Sequence, residues 1–218
     1  MNELAKPVLE GEGGSDYERY LRTDALLRLQ KGADEWVHRD ELLFQTVHQS
    51  SELWLKLAWN EVEEAGRLVA ADDIAAANRL LRRASDCLKL VTSALDMLEH
   101  MSPWEYTEVR KVLGHGSGFD SPGFREIRRV AKPLGEAFHA AHERAGLTLV
   151  EVYTRGREFE DLYTLAEQLI EFDERVIGGD VIGTQGTPVE VMGRLIHHSF
   201  FPELWDVRNE LTRMNLPE

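Results

Sequence analysis

The chain has 218 residues with 25 basic and 39 acidic side chains, which give a formal charge of −14, and 43% of its residues are hydrophobic. An acidic surface repels phosphate backbones and argues against nucleic acid as a partner, and the absence of any run of about 18 apolar residues argues against a membrane span. The single Cys87 excludes an internal disulfide and a multi-cysteine metal site. The polar, acidic N-terminus lacks a signal-peptide pattern, so we expect a cytoplasmic protein.

The first half of the chain has the hydrophobic spacing of helices and no strand alternation. Residues 1–15 are rich in Gly and Glu and are predicted to be a flexible segment. Helices are predicted over 16–31, 38–69, 71–101 and 102–113, with Gly32 and Gly114 as stop signals. The last of these has the start signal Ser102, Pro103 and Glu105, which predicts a capping box with proline in the first turn.

The second half continues the helical pattern around two glycine loops. A helix from Pro122 is expected to be interrupted near Pro133 and to resume through 135–146. Further helices are predicted over 148–176, from Pro188, and over 201–214, and the glycine loops cover 115–123 and 177–188. The sequence therefore predicts an all-α fold in which residues 16–218 form one domain.

The stretch "DELLFQTVHQSSELW", residues 40–54, places the titratable ring of His48 on the apolar face of a helix. Phe44 lies one turn earlier on the same face. A histidine in such a position commonly packs in the core, with its ring nitrogens bonded to a buried polar group. An aromatic wall beside one hydrogen-bonding ring also suits a flat heteroaromatic ligand.

Tyr106 and Arg110 share a helix face because they are four residues apart. One interpretation is an ordinary surface arginine paired with Glu105 or Glu108. The other is a guanidinium that binds a substrate carboxylate, a group that an acidic protein needs for any anionic ligand.

The loop "GSGFDS", residues 116–121, directly precedes a helix whose first N–H groups can bind an anion, although most such loops are plain turns. The loop "GTQGTP", residues 183–188, either caps a pocket or connects two helices. His139 and His142 have a spacing that can hold a metal. No carboxylate or cysteine completes that site in the neighbouring sequence, which favours a solvated helix face.

The order of several long segments resembles the tryptophan 2,3-dioxygenase family. The matching segments are "YERYLRTDALLRLQ", "RDELLFQTVHQSSELWLKL", "LEHMSPWEYTEVRKVLGHGSGFDSPGFREI", "LYTLAEQLIEFDE" and "FFPELWDVR". The resemblance implies an all-helical, haem-dependent oxidoreductase that forms a homo-oligomer, usually a tetramer. It further implies that bound haem would supply the oxygen chemistry and that the electron-rich indole C2–C3 bond of tryptophan or a related aromatic amino acid would be oxidised by O2.

The resemblance also implies the roles of the substrate-binding residues. Phe44 would line the indole ring, and His48, the catalytic candidate, would be the distal histidine that hydrogen-bonds the indole N–H. Tyr106 would line the pocket and Arg110 would bind the substrate carboxylate. Thr184 would contact the substrate ammonium and carboxylate.

Two further groups of residues take their roles from the same resemblance. Ser117 and Gly118 would lie beside the haem. Tyr17, Tyr20 and Leu21 would reach into the site of a neighbouring subunit, in a dimer or a tetramer.

The sequence departs from the family where the proximal haem histidine is expected. The helix ending "LAEQLIEFDE" runs almost directly into the second glycine loop, the region between "FREIRR" and "LYTLAEQ" is short, and no histidine lies between His142 and His197. Asp120 replaces the family's glutamine in the first loop, and the second loop reads "GTQGTP".

These departures leave three interpretations open. In the first, haem is retained, with His197 or His198 as its iron ligand. In the second, a haem-free relative keeps the aromatic amino-acid pocket for a different activity, with or without a metal. A non-catalytic relative would bind a ligand or a helical partner. The sequence leaves open which aromatic amino acid is the substrate. It also leaves open whether the reaction is a dioxygenation or a hydroxylation.

Overall fold

The computed structural model describes residues 6–182 and 199–215, and over these residues the regular structure is helical, with no strand. The all-α fold class is therefore confirmed. The helices are α1 (Asp16–Leu21), α2 (Thr23–Leu26), α3 (Glu41–Ala70), α4 (Ile74–Asp96), α5 (Pro103–Arg110), α6 (Pro122–Arg144), α7 (Leu149–Thr154), α8 (Glu160–Ile182) and α9 (Pro202–Asn215). None of the helices in this part of the chain is long and apolar enough to cross a membrane.

The helices belong to two compact units. The first unit contains the described residues of Met1–Thr46 and Met101–Gly114, and the second contains those of Val47–His100 and His115–Glu218. The expected division into a flexible segment, 1–15, and one helical domain, 16–218, is not tested by these two units and stays a prediction.

The second unit is built around the apolar stripes of its long helices. α4 packs most extensively along α8, and each buries side chains at helical spacing. The buried residues of these two helices include Leu81, Ala84, Leu88, Val91, Leu165, Leu169, Phe172 and Val176. Side chains of this size make up the core that fixes the neighbouring helices.

Two glycines lie where α6 approaches neighbouring helices of the second unit. A Cβ built on Gly66 of α3 would lie 3.8 Å from the Cα of Leu134, an ordinary van der Waals distance. A Cβ on Gly135 would lie 3.2 Å from Cε1 of Phe201, which is buried at the start of α9. α6 therefore packs against both α3 and α9, and its buried face includes Ile127, Val130 and Phe138.

In the first unit, polar contacts hold the segments that precede α1 and α3. Asp16 Oδ1 accepts hydrogen bonds from the backbone N–H of Val8 at 2.8 Å and of Leu9 at 2.7 Å. Glu41, only 4% exposed, forms an ion pair with Lys31 and accepts a bond from the N–H of Val37 at 3.1 Å. The hydrogen bond from Lys31 is the main reason that the pKa of Glu41 lies below its ordinary value.

The interruption expected near Pro133 is wrong, because α6 runs unbroken from Pro122 to Arg144. Proline removes one helical N–H donor and leaves the carbonyl four residues earlier, that of Arg129, without its usual partner. Both Pro133 and Arg129 are exposed, so water can bond to that carbonyl.

The single helices expected over 16–31 and 148–176 are each broken. Arg22 adopts a left-handed conformation with φ of 53° and separates α1 from α2. The second break lies at 155–159, where a Cβ on Gly156 would be 3.0 Å from Cγ of Tyr163. α5 also ends at Arg110 instead of extending to Gly114, whereas the predicted capping box at Ser102 and Glu105 is confirmed.

Candidate functional site

His48 lies on α3 as a half-buried residue, between the fully buried Val47 and the half-buried Gln49. Phe44 is also half-buried and precedes His48 by four residues on the same continuous helix. About 6 Å of helix rise separates them, and their side chains lie on one face. His48 therefore lies at the boundary of the protein interior and is not fully enclosed in the core.

One turn after His48 on the same face, Glu52 connects α3 to the first glycine loop of the second unit. Its Oε1 accepts a hydrogen bond from Ser121 Oγ at 2.5 Å, and its Oε2 accepts one from the N–H of Gly123 at 2.9 Å. No motif in the sequence assigns a role to Glu52. Its contacts span about 70 positions of sequence, and no local pattern predicts them.

The loop that contains Ser117 and Gly118 is closed by its own hydrogen bonds. Asp120 Oδ2 accepts from the N–H of Ser117 at 3.0 Å, and the N–H of Asp120 donates back to the Ser117 carbonyl at 2.9 Å. The N–H of Ser121 donates to the Gly118 carbonyl at 3.2 Å. Ser117 and Gly118 are exposed, and the loop's own bonds use the N–H and the carbonyl of Ser117 and the carbonyl of Gly118.

In the first unit, Arg110 is half-buried at the end of α5, and its Nη1 donates to the Gly114 carbonyl at 2.8 Å. Glu105 and Glu108, the two carboxylates that could form an ordinary surface ion pair with Arg110, are bonded to other groups. Glu105 accepts from the N–H of Ser102 at 2.7 Å, and this capping interaction lowers its pKa. Glu108 is bound by Lys111 at 2.6 and 2.7 Å. The pairing of Arg110 with Glu105 or Glu108 is therefore not the arrangement in this structure.

The other candidate residues of the first unit are exposed. Tyr106 is 42% exposed on α5. Tyr17, Tyr20 and Leu21 on α1 are 69%, 79% and 45% exposed, which is unusual for large apolar side chains in one short helix. These three side chains form a surface that a second molecule can cover.

Three candidates, Thr184, His197 and His198, lie outside the described residues. Ser199, the residue that follows His198, is bonded to a buried carboxylate. Asp173 of α8 is fully buried and accepts bonds from Ser199 Oγ at 2.5 Å, the N–H of Phe200 at 3.0 Å and Trp205 Nε1 at 2.9 Å.

The expectation of a solvated helix face at His139 and His142 is wrong. His142 is 7% exposed, and its Nδ1 lies 2.8 Å from the Leu147 carbonyl. His139 lies between His142 and Glu203. Its Nδ1 is 3.2 Å from His142 Nε2, and its Nε2 is 2.6 Å from Glu203 Oε1. The carboxylate missing from the local sequence comes from α9, which is 64 positions away. Even so, the described residues contain no cluster of three or more His, Cys, Asp or Glu side chains arranged to hold a metal ion.

Comparison with known proteins identifies one family. The family model described as tryptophan 2,3-dioxygenase matches residues 2–136. The tryptophan 2,3-dioxygenase of Bacillus thuringiensis subsp. konkukian is 30% identical over 282 aligned positions, which cover 97% of this chain and 100% of the relative. Those of Caulobacter vibrioides and Bradyrhizobium diazoefficiens are 30% and 32% identical over 89% of this chain, and over 98% and 92% of their own lengths.

The alignment with the Bacillus protein also shows how the chain differs from its relatives. It extends over 282 positions, whereas this chain has 218 residues. The relative therefore contains internal stretches without a counterpart here. This agrees with the shortened regions that the sequence indicated.

Proposed function

This chain belongs to the tryptophan 2,3-dioxygenase family of oxidoreductases, and we propose that it uses O2 to oxidise the indole ring of tryptophan or a closely related aromatic amino acid. The observation that carries the proposal is the placement of Phe44 and His48 one turn apart on α3, both half-buried. An aromatic face beside a hydrogen-bonding ring is the combination that a flat indole requires.

His48 orients the ring end of the substrate. An indole N–H is a donor only, so the histidine must present an unprotonated ring nitrogen as the acceptor. Phe44 limits where the ring can lie, and Tyr106 adds a second aromatic wall.

Arg110 binds the other end of the substrate. A guanidinium has five N–H donors, so its bond to the Gly114 carbonyl leaves the capacity for a carboxylate with two parallel bonds. We assign Thr184 to the ammonium and carboxylate end as well. Fixing both ends confines the indole to one orientation, which lowers the entropic part of the barrier.

Haem is the proposed cofactor, and when bound it supplies the oxygen chemistry. An axial ligand is required in most haem proteins. His139 and His142 are unsuitable, because they are bonded to each other, to Glu203 and to the Leu147 carbonyl. His197 and His198 fit better, because imidazole is a common haem ligand and the next residue, Ser199, is held by the buried Asp173. Ser117 and Gly118 are exposed residues that would lie beside the haem edge.

We further propose a cytoplasmic homo-oligomer, either a dimer or a tetramer, in which α1 completes the site of a neighbouring subunit. The exposed Tyr17, Tyr20 and Leu21 support this proposal, because a neighbour would cover a large apolar area.

A second candidate is a haem-free relative that keeps the aromatic amino-acid pocket. The stretches of the Bacillus enzyme without a counterpart here favour it, because a lost segment can remove a haem ligand. The metal-dependent version of this candidate has no ligand cluster in residues 6–182 and 199–215 to support it.

Absorption spectroscopy tests the proposal. The protein is expressed with haem supplementation and its spectrum recorded in the ferric and dithionite-reduced states, with and without L-tryptophan. A stoichiometric Soret band that shifts with tryptophan, followed by tryptophan-dependent O2 uptake, is expected. His48→Ala should keep the band and lose most of the shift. A colourless protein that binds tryptophan by calorimetry points to the haem-free candidate, and one that binds neither refutes the proposed function.

A further inference from the structure

Glu52 is the residue of the His48 stretch that joins it to a distant part of the chain. Both carboxylate oxygens are used. Oε1 accepts from Ser121 Oγ at 2.5 Å, and Oε2 accepts from the N–H of Gly123 at 2.9 Å. Hydrogen bonds to an ionised carboxylate are stronger than those between neutral groups. The carboxylate is half-buried, which limits the competition from water.

The approach of α6 to α3 at this point requires a glycine. A Cβ on Gly123 would lie 2.6 Å from Cβ of Leu55 and 2.7 Å from Oε2 of Glu52, which are closer than real Cβ contacts. Without a side chain, the backbone of α6 reaches α3 and its N–H reaches the carboxylate. The position is therefore shaped for the bond between Gly123 and Glu52.

The same carboxylate acts on the start of α6. Ser121 is the N-cap residue of this helix, and its Oγ accepts from the N–H of Phe124 at 3.2 Å while donating to Glu52. A negative charge at a helix N-terminus is favourable, because the first N–H groups carry a partial positive charge. Glu52 thus extends the cap from α6 to α3.

Ser121 is also the last residue of the loop 116–121, whose interior is closed by the bonds between Ser117 and Asp120. The bond from Ser121 to Glu52 therefore holds one end of this loop. Glu52 lies four residues after His48, on the same face of α3.

We propose that Glu52 is a positioning residue that fixes the loop 116–121 to the face of α3 that carries His48. This inference rests on the proposed function, in which the loop places Ser117 and Gly118 beside the cofactor. Glu52 does not itself touch the substrate. It sets where the loop backbone lies relative to His48.

A carboxylate suits this bonding pattern best, because it accepts from both donors without any rearrangement. In Glu52→Gln one amide group would replace a carboxylate oxygen, so the side chain could accept from only one of its two donors. The Ser121 hydroxyl can rotate and accept from the amide, but the N–H of Gly123 can only donate. Glu52→Gln should therefore weaken the anchor while keeping the side-chain volume, and Glu52→Ala should remove it.

Hydrogen exchange of the full chain, measured by mass spectrometry on peptides that cover 115–124, is the direct test. We expect exchange of these amides to rise about tenfold in Glu52→Ala and several-fold in Glu52→Gln. Glu63→Gln is the matched control. Glu63 is on the same helix and bonds to Arg129 of α6 at 3.2 Å, so the control removes an α3–α6 contact without touching the loop. Thermal melts verify that the variants are folded.

Steady-state kinetics with L-tryptophan test the consequence for the site. Glu52→Gln should lower kcat by about tenfold with a smaller change in KM, because the loop would be displaced while Arg110 and His48 remain. Glu63→Gln should leave both values unchanged.

Each outcome of these measurements decides the inference. Unchanged exchange in both Glu52 variants overturns it, whatever the activity. Raised exchange with unchanged kcat overturns the positioning role and leaves only a structural anchor. A wild type that binds neither haem nor tryptophan refutes the proposed function, and with it the positioning role, while the exchange data still show whether Glu52 holds the loop.

Discussion

His139 Nε2 lies 2.6 Å from Glu203 Oε1, a contact that joins α6 to α9 within the second unit. The neighbouring hydrogen bonds indicate where the protons of the His139 and His142 rings lie. The Leu147 carbonyl can only accept, so His142 must donate to it from Nδ1, at 2.8 Å. We expect His142 to be the neutral ring of the pair, with its Nε2 accepting from His139 Nδ1 at 3.2 Å. One further proton must lie between His139 Nε2 and Glu203, because two lone pairs at this distance would repel.

The first prediction concerns this arrangement of protons. Nitrogen-15 NMR of the histidine side chains should show His142 as a neutral ring protonated at Nδ1. Glu203→Ala should leave that tautomer unchanged and alter the His139 resonances. A His142 ring protonated at Nε2 instead would contradict the proton order. Glu203→Ala should also lower the free energy of unfolding by about 1 kcal/mol, whereas Glu136→Ala, at an exposed ion pair on α6, should have a smaller effect.

The second prediction concerns Asp173. Removal of its carboxylate leaves three donors, on Ser199, Phe200 and Trp205, without their acceptor in a buried location. Asp173→Ala should therefore lower the free energy of unfolding by about 2–4 kcal/mol in urea denaturation. Asp206→Ala, an exposed carboxylate on α9, is the control and should change stability by less than about 0.5 kcal/mol. Equal effects in the two variants would contradict this account of Asp173.

Arg110 is the subject of the third prediction. Arg110→Ala should weaken L-tryptophan binding by about 2–4 kcal/mol, the typical cost of removing one member of a buried charge pair. Lys111→Ala is a suitable control, because it removes the neighbouring positive charge, which is exposed and bound to Glu108. Isothermal titration calorimetry measures both. An affinity unchanged in Arg110→Ala excludes the carboxylate-binding role.

Truncation of the N-terminus is the fourth experiment. Removal of residues 1–22 deletes α1 with the exposed Tyr17 and Tyr20 and leaves the core of the second unit intact. We expect a folded protein by circular dichroism that has lost its activity. The paired substitution Tyr17→Ala and Tyr20→Ala should reproduce much of the loss without shortening the chain. A fully active truncated protein would exclude a contribution of α1 to a neighbouring site.

Much of the fold is predictable because its signals are local. The capping box at Ser102 and Glu105 lies within four residues, and the apolar stripes of α3 and α4 repeat at helical spacing. The breaks at Arg22 and Gly156 were missed because they depend on a backbone conformation and on close packing against Tyr163, neither of which periodicity encodes.

The candidate site divides in the same way. The sequence indicates Phe44 and His48 as a pair, because four-residue spacing defines one helix face. The sequence does not indicate that Glu52 holds Ser121, or that Glu203 faces His139, since each contact joins helices far apart in the chain. The roles assigned to Arg110 and Thr184 come from resemblance to the family and stay predictions.

The last prediction concerns the haem ligand. If His197 or His198 binds the iron, His197→Ala or His198→Ala should abolish the Soret band, because loss of the axial imidazole removes the main bond to the cofactor. The control is His100→Ala, an exposed histidine at the end of the 3₁₀ turn Met97–His100, which should leave the band unchanged. Melting temperatures of the haem-free proteins distinguish ligand loss from unfolding. A full Soret band in both C-terminal variants would mean that the iron ligand lies elsewhere.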